Sequence, residues 1–240
     1  MKRVAVAGAD EALLEAVKVV RALRAPVDFV NGACDAMLGK GDLEAHVRVQ
    51  PARLLDARMC PLRDKREVDV DFIVYGEIVG AERVCEAAFE AAHRPGRRRR
   101  VTLAGESLRD AFRKAKPSDI STQELSVEAA VEQMVRAPEK LDIIVVDRVH
   151  ADVLGSLGVA VAGGAGVAAT AWLGPCPMFA GQSVGAFLAA AMMLEALGLP
   201  AEGARVDAAV RRAVGEDRTT RELGGRLSID EFGDVVRRYL

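Results

Sequence analysis

Several groups of side chains in this 240-residue sequence have types and spacings that could do chemistry. The run Arg97-Arg98-Arg99-Arg100 concentrates positive charge and would suit a phosphate or a nucleic acid. It has no interleaved aromatic residues, so it reads as a solvated turn. Gly163-Gly164-Ala165-Gly166 suggests a loop whose backbone cradles phosphate, but the Gly-Lys-Ser/Thr ending of such a loop is absent, and structural glycine is the better reading. Cys34, Cys60, Cys85 and Cys176 lie far apart, form no C-x-x-C pair and are accompanied by only three histidines. Neither a zinc site nor a disulfide framework is signalled, and buried thiols in a reducing compartment are expected. Glu128 and Asp152 sit near the starts of helical patterns, where a carboxylate is favoured by the helix dipole. The pair Met192-Met193 lies in an apolar helical pattern and reads as core or interface rather than as ligand.

The composition sets the frame for these groups. Half of the residues are hydrophobic and 28% are charged, and 33 basic against 35 acidic side chains leave a formal net charge of -2. A chain of this size buries enough surface to need no disulfide or metal for stability. Nothing global argues for nucleic acid or an anionic membrane as a partner. The N-terminus MKRVAVAG breaks into charge at Asp10 and Glu11, too early for a secretory signal, so a cytoplasmic protein is expected. From Val153 to Leu194 no residue is charged, which invites a membrane-hairpin reading. That stretch is built mainly from Ala and Gly and contains Pro175, Pro177, Gln182 and Ser183, so buried core is the better account.

The elements that must position these side chains alternate between strand and helix. Residues 2–8 read as a strand ending in glycine, Asp10 as a helix N-cap, and Leu13, Val17, Val20 and Leu23 as a helical stripe. VDFV at 27–30 is a second strand, residues 31–46 are hard to assign, and Val47–Leu55 is a further strand candidate. Strands are expected at 68–76, 101–105 and 141–146, and helices at 81–93, 106–115, 126–137, 183–197, 201–215 and 229–239. This alternation predicts an α/β fold with a mainly parallel sheet covered on both faces.

Four strings in order, MVRAPEKLDIIVVD at 134–147, HADVLGSLGVAVAGGAGVA at 150–168, AAAMMLEALG at 189–198 and TTRELGGRLSIDEFGDVV at 219–236, resemble the β-decarboxylating dehydrogenases of isocitrate and 3-isopropylmalate. VRVQPARLL at 47–55 and VDVDFIVYGE at 68–77 fit that family more loosely. The resemblance implies an isocitrate/isopropylmalate dehydrogenase-like fold: mainly parallel sheets sandwiched by helices, in two lobes around a cleft. Residues 1–49 and 158–240 would form the first, dinucleotide-side lobe, and 50–157 the second, dimerisation-side lobe. It implies a homodimer that oxidises a 2-hydroxy acid with NAD or NADP and uses Mg or Mn to polarise the reacting oxygen.

Carried over residue by residue, most of that machinery is altered. Asp152 matches the family's first metal aspartate, but Ser156 stands where the second is expected one helical turn later. Glu128 falls where the family presents a further aspartate from the partner subunit. Gln50 replaces a substrate arginine, which leaves Arg48 as the substrate-binding candidate, and Tyr75 or Gly76 replaces another. The arm bearing the catalytic tyrosine is missing after Gly80, and the lysine after the 101–105 strand becomes Glu106. On the cofactor side only Gly8 of the Gly-rich turn is kept, and the adenosine loop, reduced to GPCPMFAGQSVGAF, has Met178, Gln182 and Ala186 at its aspartate, lysine and asparagine.

The resemblance therefore implies a degenerate homologue that serves as a binding, regulatory or assembly subunit, requiring Mg or Mn and NAD(P) only if the family activity survives. The alternative is a reduced but active enzyme on a small hydroxy-carboxylate or phosphate ester. A homodimer, or a hetero-oligomer with a full-length paralogue, is the expected assembly, with neither nucleic acid nor membrane as partner.

Overall fold

The structure is a computed structural model that describes residues 2–6, 10–31 and 45–240. Gly8, Cys34 and most of the unassigned stretch 31–46 lie outside the described residues. The chain divides into two compact units: Met1–Glu44, Ala165–Ala171 and Met178–Leu240 form the first, and Ala45–Gly164 with Trp172–Pro177 the second.

In the first unit, β1 (Lys2–Val6) and β2 (Val27–Asn31) pair in parallel on either side of α1 (Glu11–Ala22). Asp10 caps α1, its side chain accepting the Leu13 N–H at 3.2 Å. The buried stripe of α1 is Ala12, Ala16, Val19 and Val20, together with Glu15, so the face is rotated from the one the larger side chains predict. Glu15 is tolerated there because Arg237 of α8 (Ile229–Tyr239) donates to it at 2.9 Å and Lys18 pairs with it. Helix α6 (Val184–Ala196) is apolar nearly all round because α1, α7 (Pro200–Gly215) and β9 (Met178–Gly181) all pack on it. Gly203 allows the close approach of α7: a Cβ there would lie 2.8 Å from the Ala191 carbonyl. Phe187 and Phe232 meet edge to face at 5.2 Å in this core.

The uncharged run from Val153 to Leu194 is thus divided among buried helix and short strands. No helix among the described residues is long and apolar enough to cross a membrane. Met193 is buried in α6, as core.

The second unit is organised on a sheet. Strands β4 (Asp71–Glu77), β7 (Ile143–Val146), β5 (Arg100–Ala104) and β6 (Ser121–Leu125) pair in parallel in that order, whereas β3 (Val47–Arg53) pairs antiparallel with β4. The order of these five strands reads β6-β5-β7-β4-β3, mixed but mostly parallel, and β8 (Ala169–Leu173) is a further short strand. All four residues of β7 are buried, as expected of a central strand covered on both faces. Helix α2 (Ala81–Ala92) packs on β4, β5 and β7, and its Phe89 meets Phe112 of α3 (Arg109–Ala115) at 5.1 Å. Helix α4 (Val127–Arg136) packs on α5 (Arg148–Val161).

Helix α5 covers the face of β3 and β4 that carries Ala52, Phe72 and Gly76. It comes close because glycine meets alanine at the contact: a Cβ on Gly76 would lie 2.5 Å from Ala151 Cβ, and one on Gly158 would lie 3.1 Å from Ala52 Cβ. Gly163, just beyond α5, has φ +115° and lies against Met59, so the glycine run terminates a helix.

The arginine run is more than a solvated turn. Asp142, fully buried, accepts from Arg97 Nε at 2.7 Å and from the backbone N–H groups of Arg98 and Arg100 at 2.9 and 3.2 Å. Arg97, only 11% exposed, also reaches Asp71 at 3.0 Å, and Arg98 donates to the carbonyls of Val68, Glu139 and Leu141. Burial opposes the Arg97 charge, but Asp71 and Asp142 outweigh it and hold its pKa above the ordinary value. These contacts tie the starts of β4, β5 and β7 together.

Candidate functional site

Ligands of open α/β sheets bind beyond the carboxyl ends of the strands. In the second unit those ends carry Gly76 and Glu77 on β4, Gly105 to Ser107 after β5, Ser126 to Glu128 after β6, and Asp147 to His150 after β7.

Arg48 and Gln50 lie two residues apart on β3 and so share a face. The Arg48 guanidinium donates through Nη2 to Gln50 Oε1 and pairs through Nη1 with Asp152 of α5. The substrate-binding and metal candidates therefore meet each other. Arg48 is largely buried, at 20% exposure, whereas Asp152 is 77% exposed. Burial lowers the pKa of Arg48, the expected response of a cation withdrawn from water. Gly155, one turn before Gly158 on α5, makes the arrangement possible, since a Cβ there would overlap Gln50 Oε1 and approach Arg48 Nη2 at 3.4 Å.

Gly76 is the β4 residue opposite Arg48 in the ladder. Ala151 occupies the space a side chain at that position would need, and Tyr75, the other residue where sequence comparison expects an arginine, is buried. Ser156 is exposed on α5. Glu128 stands in the first turn of α4, where its own backbone N–H and then the Ser126 hydroxyl hold its carboxyl below the usual value, with the charge of His150 adding to the effect. Its geometry is that of a helix-start carboxylate. Glu106 is exposed and pairs with Arg109 at 2.8 Å.

These residues are a poor fit for a divalent ion. Asp152 is already paired with a guanidinium, and no group of three or more His, Cys, Asp or Glu residues is arranged to hold a metal among the described residues. The dinucleotide side offers little either: Met178 is half-buried, Gln182 is exposed, and Ala186 is buried in α6. None of these three side chains supplies a carboxylate to bind a ribose hydroxyl.

One constellation was not singled out from sequence. Asp147 is the N-cap of α5, accepting the His150 N–H at 3.0 Å; it also meets His150 Nδ1 at 2.8 Å and accepts from Ser107 Oγ at 2.7 Å. Burial pushes the Asp147 carboxyl up, but the bonds from Ser107 and His150 outweigh that and leave it below the usual value. The available signal was an aspartate directly after an apolar strand and three residues before a histidine, at the strand end where ligands bind. Gly105, at φ +95°, brings the β5 end to within van der Waals reach of this cluster: a Cβ there would lie 3.7 Å from Asp147 Oδ2.

Comparison with known proteins places this scaffold. The profile described as isocitrate/isopropylmalate dehydrogenase matches residues 56–236. A 3-isopropylmalate dehydrogenase of Streptomyces griseus is 35% identical over 185 residues, covering 62% of this chain and 53% of its own. One from Streptomyces avermitilis is 27% identical over 250 residues, covering 78% and 72%. The chain thus spans about half the length of the first relative and under three quarters of the second. Among solved structures, isocitrate dehydrogenase from Methylococcus capsulatus superposes with a TM-score of 0.85 at 19% identity, covering 100% of this chain and 99% of that one. The TT0538 protein from Thermus thermophilus gives 0.83 at 20% identity, covering 99% and 68%. The profile match extends over most of the sequence, and the chain belongs to the isocitrate/isopropylmalate dehydrogenase family.

Proposed function

We propose that this chain is a degenerate member of its family, a binding, regulatory or assembly subunit that no longer performs metal- and NAD(P)-dependent oxidation of a 2-hydroxy acid. The observation that carries the reading is the pairing of Arg48 with Asp152: the one candidate for holding a substrate carboxylate and the one retained metal aspartate satisfy each other. The family mechanism needs metal, base and carboxylate clamp acting as a unit, and loss of members costs orders of magnitude in rate, non-additively. Glu106 in place of a lysine and the closure of Gly76 by Ala151 support the same reading.

In this reading residues 1–49 and 158–240 are the vestigial dinucleotide lobe, and 50–157 the dimerisation lobe. A homodimer is supported by Val149 and Val153, one helical turn apart on α5 and 78% and 61% exposed, an apolar pair that a second copy would cover. A hetero-oligomer with a full-length paralogue would use the same helix and offer Glu128 to the partner. A cytoplasmic location accords with the unpaired Cys60, Cys85 and Cys176.

The second reading, a reduced but active enzyme on a small hydroxy-carboxylate or phosphate ester, is favoured by the Asp147–His150 pair. Asp147 holds Nδ1, so Nε2 is the ring nitrogen left to exchange a proton, as in a base oriented by a carboxylate.

The experiment is a thermal-shift titration of the purified protein with NAD, NADP, isocitrate, isopropylmalate and tartrate, each with and without Mg2+ or Mn2+. The degenerate reading expects no shift, because only a ligand that binds the native state raises its melting temperature. A shift that needs both metal and a hydroxy acid would restore the dehydrogenase reading. A metal-independent shift with a hydroxy acid that His150→Gln abolishes would establish the second.

A further inference from the structure

Arg48 is a mostly buried cation on β3. A buried charge is costly unless it is paired and hydrogen-bonded. Here Nη1 meets the Asp152 carboxylate, Nη2 donates to the Gln50 amide oxygen, and Nε is buried without a partner. The three side chains interlock with a fourth position. Gln50 is the neutral acceptor that shares the face of β3 with Arg48, and Gly155 is the α5 residue whose missing Cβ leaves room for both. Helix α5 therefore supplies, within one turn, the carboxylate that the cation neutralises and the gap through which the cation reaches it.

We propose that the Arg48 guanidinium is a built-in cation standing where a divalent metal ion would meet Asp152, so that the chain keeps this carboxylate neutralised without Mg2+ or Mn2+. The proposal rests on the reading of the chain as degenerate and extends it: the site is filled by an interlocking set, Arg48, Gln50 and Gly155. A guanidinium is held by covalent linkage and cannot be titrated away by chelator or dilution. Its planar donors also fix the Asp152 side chain directionally, which a spherical ion does not do.

The test is Mn2+ binding to the full chain, read by thermal shift and by the electron paramagnetic resonance of free Mn2+. Wild type is expected to bind no Mn2+ saturably at millimolar concentration and to melt at the same temperature in Mn2+ and in EDTA. Arg48→Met keeps the apolar stem and frees Asp152, a single carboxylate, so Mn2+ raised to tens of millimolar should lift its melting temperature by about 1 °C. The double variant Arg48→Met/Asp152→Asn should lose that response. Saturable Mn2+ binding by wild type that Asp152→Asn abolishes would overturn the proposal, as would an Arg48→Met protein that folds and gains no Mn2+ response. Should Arg48→Met fail to fold, the wild-type titration decides alone. Metal-dependent oxidation of a hydroxy acid by wild type would sink the degenerate reading as well, whereas Mn2+ binding at Asp152 without turnover would sink only this inference.

Discussion

The two ends of the sheet in the second unit both carry arginine–aspartate pairs, and the pairs differ in kind. At the strand starts, Asp142 is fully buried and its oxygens are taken by Arg97 and by two backbone N–H groups. At the strand ends, Asp152 is mostly exposed and its cation is the buried partner. The first pair is part of the scaffold, because a desolvated carboxylate with its oxygens bonded cannot lose a partner cheaply. The second lies where α/β proteins place their ligands, and its removal leaves a carboxylate that water can solvate. Similar residue types thus form part of the scaffold at one end and stand largely at the surface at the other.

The sharpest way to break this comparison is to remove each aspartate. Asp142→Ala is expected to cost about 3–5 kcal/mol, since it leaves the buried Arg97 with Asp71 as its remaining carboxylate partner and takes the acceptor from two backbone N–H groups. Asp152→Ala leaves the mostly buried Arg48 bonded to Gln50 alone, and because the lost carboxylate itself was solvated it should cost less, about 1–3 kcal/mol. Urea denaturation of both variants checks the contrast, and equal losses would erase it.

Next in size is Gly155→Ala. The added methyl must displace Gln50 and with it the Arg48 bond, an overpacking change worth about 1–3 kcal/mol. Gly164→Ala, with nothing within 4 Å of its Cβ but a φ of +95°, is the control: it carries backbone strain without the clash. A loss at Gly155 no larger than that at Gly164 would mean that the Gln50 side chain simply moves aside.

A smaller effect is expected from acid. The Asp147 carboxyl has a folded pKa below its unfolded one, so its contribution is present at neutral pH and lost as pH falls through the carboxylate range. Asp147→Asn should flatten that part of the stability–pH curve and leave the neutral-to-alkaline limb in place. An unchanged acid limb would show that the Ser107 and His150 bonds do not hold the charge.

The smallest effect is on reactivity rather than stability. Burial, with the charges of Glu77 and Glu86 behind it, pushes the Cys85 thiol to about 12, while Cys176 is exposed. Iodoacetamide at pH 8 should therefore label Cys176 and spare Cys85 until the protein unfolds. Early labelling of Cys85 in an otherwise folded Gly155→Ala protein would show that disturbance at α5 opens this part of the sheet.

Much of the fold could be read from the residue pattern. The amphipathic spacing and the Ser228–Glu231 capping box put α8 at the expected Ile229–Tyr239, and α2 and α7 came within a residue or so of their predicted ends. Edge and apolar elements were harder. STQEL of β6 is mostly polar because it pairs only with β5, so it shows no apolar alternation. The short strands β8 and β9 lie in an apolar run where periodicity is lost. The strand expected from Val68 begins at Asp71, because Val68 lies exposed in the turn that precedes it.

The site divides along the same line. The sequence by itself determined which chemical groups are present: Asp152 with Ser156 one helical turn later, Gln50 two residues from Arg48, and Glu106 after the 101–105 strand, none of them the set that the resemblance leads one to expect. These follow from residue identity and local spacing, which one strand or one helix can express. Only the tertiary structure decided whom each charge faces. Arg48 meets Asp152 because α5 lies on the β3–β4 face, Gly76 is closed because Ala151 sits on it, and Arg97 turns inward because Asp142 is buried beside it. Long-range pairing of this sort depends on how elements pack, and packing is set by shape complementarity across residues far apart in the chain.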